Sequence, residues 1–297
     1  MTTTVGFIGL GIMGAPMATN LVGAGFDVVG HNRSPAKTNA LVARGGRAAA
    51  TVAEAARDAD VVVTMLPDST DVLDVVLGEG GVLAHAHEGQ LLIDMSTVAP
   101  EASREIAAAA AGVGVRALDA PVSGGEAGAV EGSLSIMVGG AAADLEGAQP
   151  ILSAIGTTIV HVGPAGAGQT VKAANQLIVA GHLQVLAEAL VFLDASGVDL
   201  DAAVRVLGGG LAGSTVLTRK APAMLARDFA PGFRLALHHK DLGILTQAAR
   251  EAGVVIPVGA AVAQLVAALV ARGDGQLDHS ALLKLVTELS SPDRTEP

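Results

Sequence analysis

The chain contains no cysteine, tyrosine or tryptophan, and only five phenylalanines. The absence of cysteine excludes disulfides, thiolate metal ligands and a thiol nucleophile, and a reducing, cytoplasmic setting is the simplest expectation. Without tyrosine no phenolic hydroxyl can donate a proton, so an acid–base step falls to Lys, His or a carboxylic acid. Basic residues are scarce too: 18 Lys and Arg against 29 Asp and Glu give a formal charge of −11. That sign is wrong for neutralising a phosphate backbone, and nucleic acid is not expected as a partner.

Apolar residues make up 51% of the 297, and the mean hydropathy is +0.53. This length favours two domains. The longest uncharged run, between Glu251 and Arg272, is mostly Ala and Val and contains Gly253, Pro257, Gly259 and Gln264. It reads as a buried helix rather than a span of about 20 strongly apolar residues, so no membrane partner is expected. Met1-Thr-Thr-Thr4 lacks a basic n-region, and no signal peptide is read there.

The first half alternates short Val- and Ile-rich runs with Ala-rich helical stretches, the rhythm of a parallel sheet. Strands are expected at Thr4–Ile8, Asp27–His31, Val61–Met65, Leu91–Asp94, Val115–Leu118, Leu134–Val138 and Thr158–Val162. Ser96-Thr97-Val98-Ala99-Pro100-Glu101 reads as a helix start with a hydroxyl cap. After the breaker cluster Gly163–Gly168, helical spacing takes over from Gln169 to about Ala195. From there on only helices are expected, punctuated by Gly208-Gly-Gly210, Pro222, Pro231-Gly232, Pro257 and Gly273. The expected organisation is an α/β, Rossmann-like, doubly wound parallel sheet over residues 1–163, an all-α domain over 164–291, and a polar tail, 292–297.

Gly9-Leu-Gly11-Ile-Met-Gly14 places G-x-G-x-x-G directly after the first strand and before a helix. In a dinucleotide fold these glycines make the tight turn, admit the pyrophosphate to the backbone and let the helix pack on the strand. At the end of the second strand, His31-Asn32-Arg33-Ser34 offers no carboxylate for a ribose 2′-hydroxyl. Arg33 can pair with a 2′-phosphate, and Asn32 and Ser34 supply further donors, so NADP is preferred over NAD. The glycines of Ser123-Gly124-Gly125 expose backbone N–H groups beside a hydroxyl, a concave anion site or a plain turn. Lys172 and Asn175 are i and i+3 on a helix that is otherwise mostly Ala, Val, Leu and Ile. A Lys so placed can have a lowered pKa and act as a general acid, or it can snorkel to water. His238-His239-Lys240-Asp241 has no carboxylate cluster upstream, so metal binding is rejected and a second cation near an acidic ligand is expected. His279 is read as helping to begin the last helix, with Asp278 as its cap.

Four segments together resemble the 3-hydroxyacid dehydrogenase family, relatives of 3-hydroxyisobutyrate and 6-phosphogluconate dehydrogenases: Gly6–Gly14, Asp119–Gly125, Gly166–Asn175 and Lys240-Asp-Leu-Gly243. Within it, Ser123–Gly140, Gly209–Ser214 and Pro231–Lys240 are most similar to the tartronate semialdehyde reductase (2-hydroxy-3-oxopropionate reductase) branch. The resemblance implies Lys172 as catalytic acid/base, and Ser123, Gly124, Gly125 and Asn175 as substrate ligands. It places Met65, Leu66, Thr97 and Lys240 beside the nicotinamide, and implies a homodimer or homotetramer. It further implies reversible hydride transfer between NADP(H) and a small aldehyde acid, giving D-glycerate from tartronate semialdehyde. The alternatives are 3-hydroxyisobutyrate, threonate, glyoxylate or succinic semialdehyde as substrate, or a non-catalytic nicotinamide-binding module. Because −11 would repel an acidic substrate, Lys172, His238, His239 and Lys240 are expected to reverse the field locally.

Overall fold

The computed structural model describes residues 2–290. It divides into two compact units, the first running through Lys172 and the second from Ala173. The first unit extends beyond the breaker cluster at 163–168 because the start of the next helix is tied to the sheet, as described below. The expected tail, 292–297, lies outside the described residues.

In the first unit the strands are β1 (Thr4–Ile8), β2 (Asp27–His31), β3 (Arg47–Ala48), β4 (Val61–Thr64), β5 (Leu91–Asp94), β6 (Arg116–Asp119), β7 (Val122–Ser123), β8 (Leu134–Gly140) and β9 (Gly156–Gly163). They form a nine-stranded sheet in the order β3-β2-β1-β4-β5-β6-β8-β7, with β9 paired to β8. The pairings from β3 to β6 are parallel, β8 runs antiparallel to β6 and β7, and β9 is parallel to β8. Order reverses between β1 and β4, the topological switch point at which ligands of doubly wound sheets bind.

The helices between strands are α1 (Gly14–Gly23), α2 (Thr38–Val42), α3 (Val52–Ala56), α4 (Ser69–Leu77), α5 (Val82–His85), α6 (Pro100–Gly112), α7 (Gly125–Glu131) and α8 (Ala142–Ser153). Strand side chains alternate between two cores. Val61, Val63, Leu91 and Ile93 join one with Met17 and Leu21 of α1 and Ile151 of α8. Val62 and Leu92 join the other with Ala55 of α3, Val72 of α4 and Ile106 of α6. Both faces are therefore buried, which is why these strands read as continuous apolar runs.

α9 (Ala167–Ala195) begins in the first unit and continues into the second, which also holds α10 (Leu200–Gly208), α11 (Thr215–Leu225), α12 (Leu235–Glu251), α13 (Pro257–Ala271) and α14 (Leu282–Ser290). Its core gathers Leu183, Leu190, Met224, Leu242, Val266, Leu269 and Leu282. Among the described residues α9, rather than the run from Glu251 to Arg272, is the helix whose length and composition would suffice to cross a membrane. Gln169, Lys172, Gln176 and Gln184 are nevertheless buried along it.

The structure differs from the sequence reading in several details, among them the unexpected short strands β3 and β7. α6 is capped by Ala99 without a side-chain hydrogen bond, not by a hydroxyl. Ser96 Oγ instead accepts the Leu66 N–H, and Ser69 Oγ accepts the Ala99 N–H. Pro222 lies inside α11 rather than between helices.

Candidate active site

The glycine turn is built by crowding on two sides and openness on the third. Gly9 has φ +102°, and a Cβ there would lie 2.3 Å from the Met65 carbonyl oxygen. A Cβ on Gly14 would lie 1.9 Å from the Gly9 carbonyl oxygen. At Gly11 a Cβ would meet nothing within 4 Å. The first two glycines are demanded by the fold; the third leaves free space over the backbone, the space that a pyrophosphate approaching the turn requires. α1 starts without a side-chain cap and with no acidic residue in its first turn, so an anion there would meet N–H groups and the positive end of the helix dipole. The residues present therefore fit a dinucleotide.

Asn32 holds this turn together. Its Oδ1 accepts the Leu10 N–H at 3.0 Å and its Nδ2 donates to the Ser34 carbonyl at 3.2 Å. Arg33 and Ser34 are exposed beside it. The sequence reading treated Asn32 as a phosphate donor, whereas the structure uses its amide to join β2 to the glycine turn.

The carboxyl ends of β4, β5 and β6 are linked in the same manner. Thr64 Oγ1 donates to Asp94 Oδ1 at 2.7 Å, and the Leu66 N–H donates to Ser96 Oγ at 2.9 Å. Gln169 Oε1 accepts the Val98 N–H at 3.1 Å while its Nε2 donates to the Ser96 carbonyl at 2.9 Å. Asp119 accepts the N–H groups of Gly166 (2.7 Å) and Gln169 (3.0 Å), fastening the start of α9 to β6. Burial raises the Asp119 carboxyl above its usual range, and nearby Asp94 adds to this against the pull of the backbone amides of Gly166, Gln169 and Asp119 itself. The approach is close enough that a Cβ on Gly168 would lie 2.4 Å from the Met137 carbonyl oxygen.

One turn after Gln169 comes Lys172, which is 7% exposed and donates from Nζ to the Val122 carbonyl at 2.8 Å. That carbonyl leads into Ser123-Gly124-Gly125. Val122 and Ser123 pair with β8, after which Gly124 (φ +140°) and Gly125 (φ +66°) occupy backbone conformations that L side chains rarely adopt. α7 begins at Gly125. A buried lysine Nζ thus lies against the peptide that opens a two-glycine turn.

In the second unit, Asn175 Nδ2 donates to Gln176 Oε1 at 2.8 Å, Gln176 Nε2 donates to Asp241 Oδ2 at 2.5 Å, and Lys240 Nζ pairs with Asp241 Oδ1 at 3.1 Å. His239 is exposed, but His238 is fully buried, packed edge-on against Phe233 with Nδ1 3.1 Å from Nδ1 of His279. A ring so enclosed faces no ligand, which corrects its expected place among the substrate-facing cations. Asp278 caps the turn containing His279, as the sequence indicates. Its carboxylate also takes Lys220 Nζ at 2.9 Å and the Gly232 and Phe233 N–H groups.

Sequence reasoning assigned no role to Asp119 and Gln169 in the first unit or to Gln176 and Asp241 in the second. Asp119, Gln169 and Asp241 lie inside the segments that carry the resemblance, and Gln176 directly follows one, but nothing in the sequence shows which partners they meet.

Residues 4–163 match the NAD binding domain of 6-phosphogluconate dehydrogenase, and residues 166–286 match the NAD-binding segment of NADP-dependent 3-hydroxyisobutyrate dehydrogenase. The chain belongs to the 3-hydroxyisobutyrate dehydrogenase family. It is therefore an oxidoreductase of the NAD(P)-dependent 3-hydroxyacid dehydrogenases. It is 40% identical over 280 residues to the 2-hydroxy-3-oxopropionate reductase of Escherichia coli (strain K12), covering 94% of this chain and 96% of that one. It is 39% identical over 288 residues to an NAD-dependent L-serine dehydrogenase of Pseudomonas aeruginosa, covering 95% and 97%. A structure of Mycobacterium tuberculosis 3-hydroxyisobutyrate dehydrogenase with L-serine is 37% identical, with a TM-score of 0.88 and coverage of 96% and 99%.

Proposed function

We propose that this family member reduces tartronate semialdehyde to D-glycerate, reversibly and with preference for NADPH, in the cytoplasm. The observation that carries the reading is Lys172: a buried lysine whose Nζ lies 2.8 Å from the carbonyl leading into Ser123-Gly124-Gly125. The relatives named above act on acids whose chemistry has a common core, a carboxylate with a hydroxymethyl on its α-carbon. Glycerate, serine and 3-hydroxyisobutyrate differ only in carrying OH, NH₃⁺ or CH₃ there. What supports the hydroxyl member is the resemblance of Ser123–Gly140, Gly209–Ser214 and Pro231–Lys240 to the tartronate semialdehyde reductase branch, beside the 40% identity to a 2-hydroxy-3-oxopropionate reductase.

When bound, the nicotinamide supplies the hydride. Gly9, Gly11 and Gly14 receive its pyrophosphate, and Arg33 and Ser34 the 2′-phosphate, with Asn32 supporting them by holding the turn. Met65, Leu66 and Thr97 border the nicotinamide, and Lys240 keeps the role that the resemblance implies. The Ser123 hydroxyl and the N–H groups of Gly124 and Gly125 take the substrate carboxylate, and Asn175 is assigned to the substrate by the same resemblance. Lys172 Nζ gives a proton to the substrate oxygen during reduction and takes it back during oxidation. Holding carboxylate and proton donor on one rigid framework supplies orientation, and the ammonium stabilises the negative charge that develops on that oxygen.

The test is a spectrophotometric panel of tartronate semialdehyde, methylmalonate semialdehyde, glyoxylate and succinic semialdehyde with NADPH and NADH, run on the native protein and on Lys172→Ala. The expected result is the highest kcat/KM for tartronate semialdehyde with NADPH. Lys172→Ala should lower kcat by about 10² to 10⁴ with cofactor affinity kept. Preference for another acid overturns the substrate, and retention of more than about a tenth of kcat in Lys172→Ala overturns the proton donor.

A further inference from the structure

Three strand ends of the first unit are linked through Gln169 and Ser96: the Gln169 side chain grips the loop after β5, its backbone N–H meets Asp119 at the end of β6, and Ser96 reaches the loop after β4. Gln169 is 1% exposed, at the start of α9. Its carboxamide pairs with the loop after β5 as a neighbouring strand would, accepting from Val98 N–H at 3.1 Å and donating to the Ser96 carbonyl at 2.9 Å. Its own N–H is held by Asp119 at the end of β6 (3.0 Å), and Ser96 Oγ in turn takes the Leu66 N–H from the loop after β4 (2.9 Å). Thr97, flanked by the two residues that Gln169 grips, is half-buried while both neighbours are buried. Lys172 follows Gln169 by one helical turn.

The chemistry of this clamp is selective. The loop presents one donor and one acceptor, both buried, and a carboxamide offers the complementary pair in one plane at any pH, which a carboxyl does only when protonated. An ionised carboxylate can take the Val98 N–H but sets a lone pair against the Ser96 carbonyl. An apolar residue leaves both groups unsatisfied.

We propose that Gln169 is a positioning residue for the reaction: it fixes the loops carrying Leu66 and Thr97 to the turn of α9 that carries Lys172, and so sets the separation between the nicotinamide border and the proton donor. It acts through those residues and touches neither substrate nor cofactor. The inference rests on the reading of Lys172 as proton donor.

The test uses the full chain with Gln169→Ala and Gln169→Glu. First, amide hydrogen exchange at Val98 is measured without cofactor. Exchange should quicken at least about tenfold in both variants at pH 8 while amides of β1 keep their protection, because a buried N–H that has lost its acceptor, or a loop that has lost its clamp, opens locally. Second, NADPH affinity is followed by nicotinamide fluorescence, and kcat and KM are measured from about pH 8 to pH 6. Gln169→Ala should lower kcat up to about a hundredfold, the scale of a misplaced reacting group, with a smaller change in KM for the acid and no dependence of the loss on pH. Gln169→Glu should match it at pH 8 and recover toward the native value, in both kcat and NADPH affinity, as pH falls. Burial raises the new carboxyl's pKa, and its protonated form regains a donor for the Ser96 carbonyl. A defect that is merely structural would not be reversed by acid in one variant alone. Native protection of Val98 in both variants, or a Gln169→Glu to native ratio that stays flat with pH, overturns the proposal. If the native protein turns over no acid of the panel, the functional reading fails, and the exchange and titration arms still decide this one.

Discussion

His279→Gln should remove an acid-side loss of stability that the native chain builds into its second unit. His279 is 6% exposed, and its Nε2 finds no hydrogen-bond partner. Burial disfavours the imidazolium, the charges of His238 and Lys220 add to this, and Asp278 at 4.0 Å opposes them without prevailing. The ring therefore stays neutral well below its ordinary value of 6.5. In the unfolded chain it takes up a proton near that value. The sign follows: below pH 6.5 the unfolded state binds a proton that the folded state refuses, so stability falls as pH falls. The loss is RT ln(1 + 10^(6.5 − pH)), about 2 kcal/mol at pH 5 for one imidazole. Glutamine does not titrate, so the stability difference between native protein and variant should shift by about 2 kcal/mol in the variant's favour between pH 7.5 and pH 5. Urea unfolding followed by circular dichroism is the assay, since the chain has no tryptophan or tyrosine to report by fluorescence. Staying above the range in which most carboxylates titrate keeps their linkage out of the comparison. Parallel pH dependences for the two proteins, or a native protein that gains stability on acidification, would refute the reasoning.

Other expectations concern the cofactor turn. Arg33→Ala should weaken NADPH by about 1 to 3 kcal/mol, the worth of a charge-assisted contact, and leave NADH nearly unchanged; equal losses in paired titrations would remove Arg33 from the 2′ position. Gly11→Ala should keep the native melting temperature and lose dinucleotide affinity, since its Cβ meets no protein atom within 4 Å and would enter the ligand's space. Gly14→Ala should do the reverse and lower the melting temperature, because its Cβ would collide with the Gly9 carbonyl oxygen at 1.9 Å.

The sheet was legible because its strands are buried on both faces. Val61-Val-Val63 and Leu91-Leu-Ile93 are uninterrupted apolar runs bounded by polar or breaker residues, and a chain cannot hide such a run on a solvated edge. β3 and β7 escaped because two residues carry no period: Arg47-Ala48 and Val122-Ser123 become strands only when β2 and β8 offer them partners. Pro222 escaped for a related reason. A proline is read as a breaker from local cost alone, and burial of Leu217, Ala221 and Met224 on the same helix outweighs a cost of roughly 3 kcal/mol.

The site divides along the same line. Glycines report themselves, because the constraint they relieve is local: Gly9, Gly124 and Gly125 all sit at positive φ. Polar side chains report only their chemistry, and what that chemistry does depends on which partner the fold delivers. Asn32 and Gln169 carry the same amide. Asn32 sits in the loop after β2 and suggests a ligand contact, yet its oxygen holds Leu10; Gln169 sits inside the Gly166–Asn175 segment with no role suggested for it, yet it spans a separation of more than seventy residues to reach Ser96. His238 and His239 are adjacent in the chain, one enclosed by Phe233 and His279 and the other exposed. A sequence can therefore name the donors and acceptors of such a site, but whether each is kept for a ligand or used to hold the loops is decided by hydrogen bonds between residues far apart in the chain.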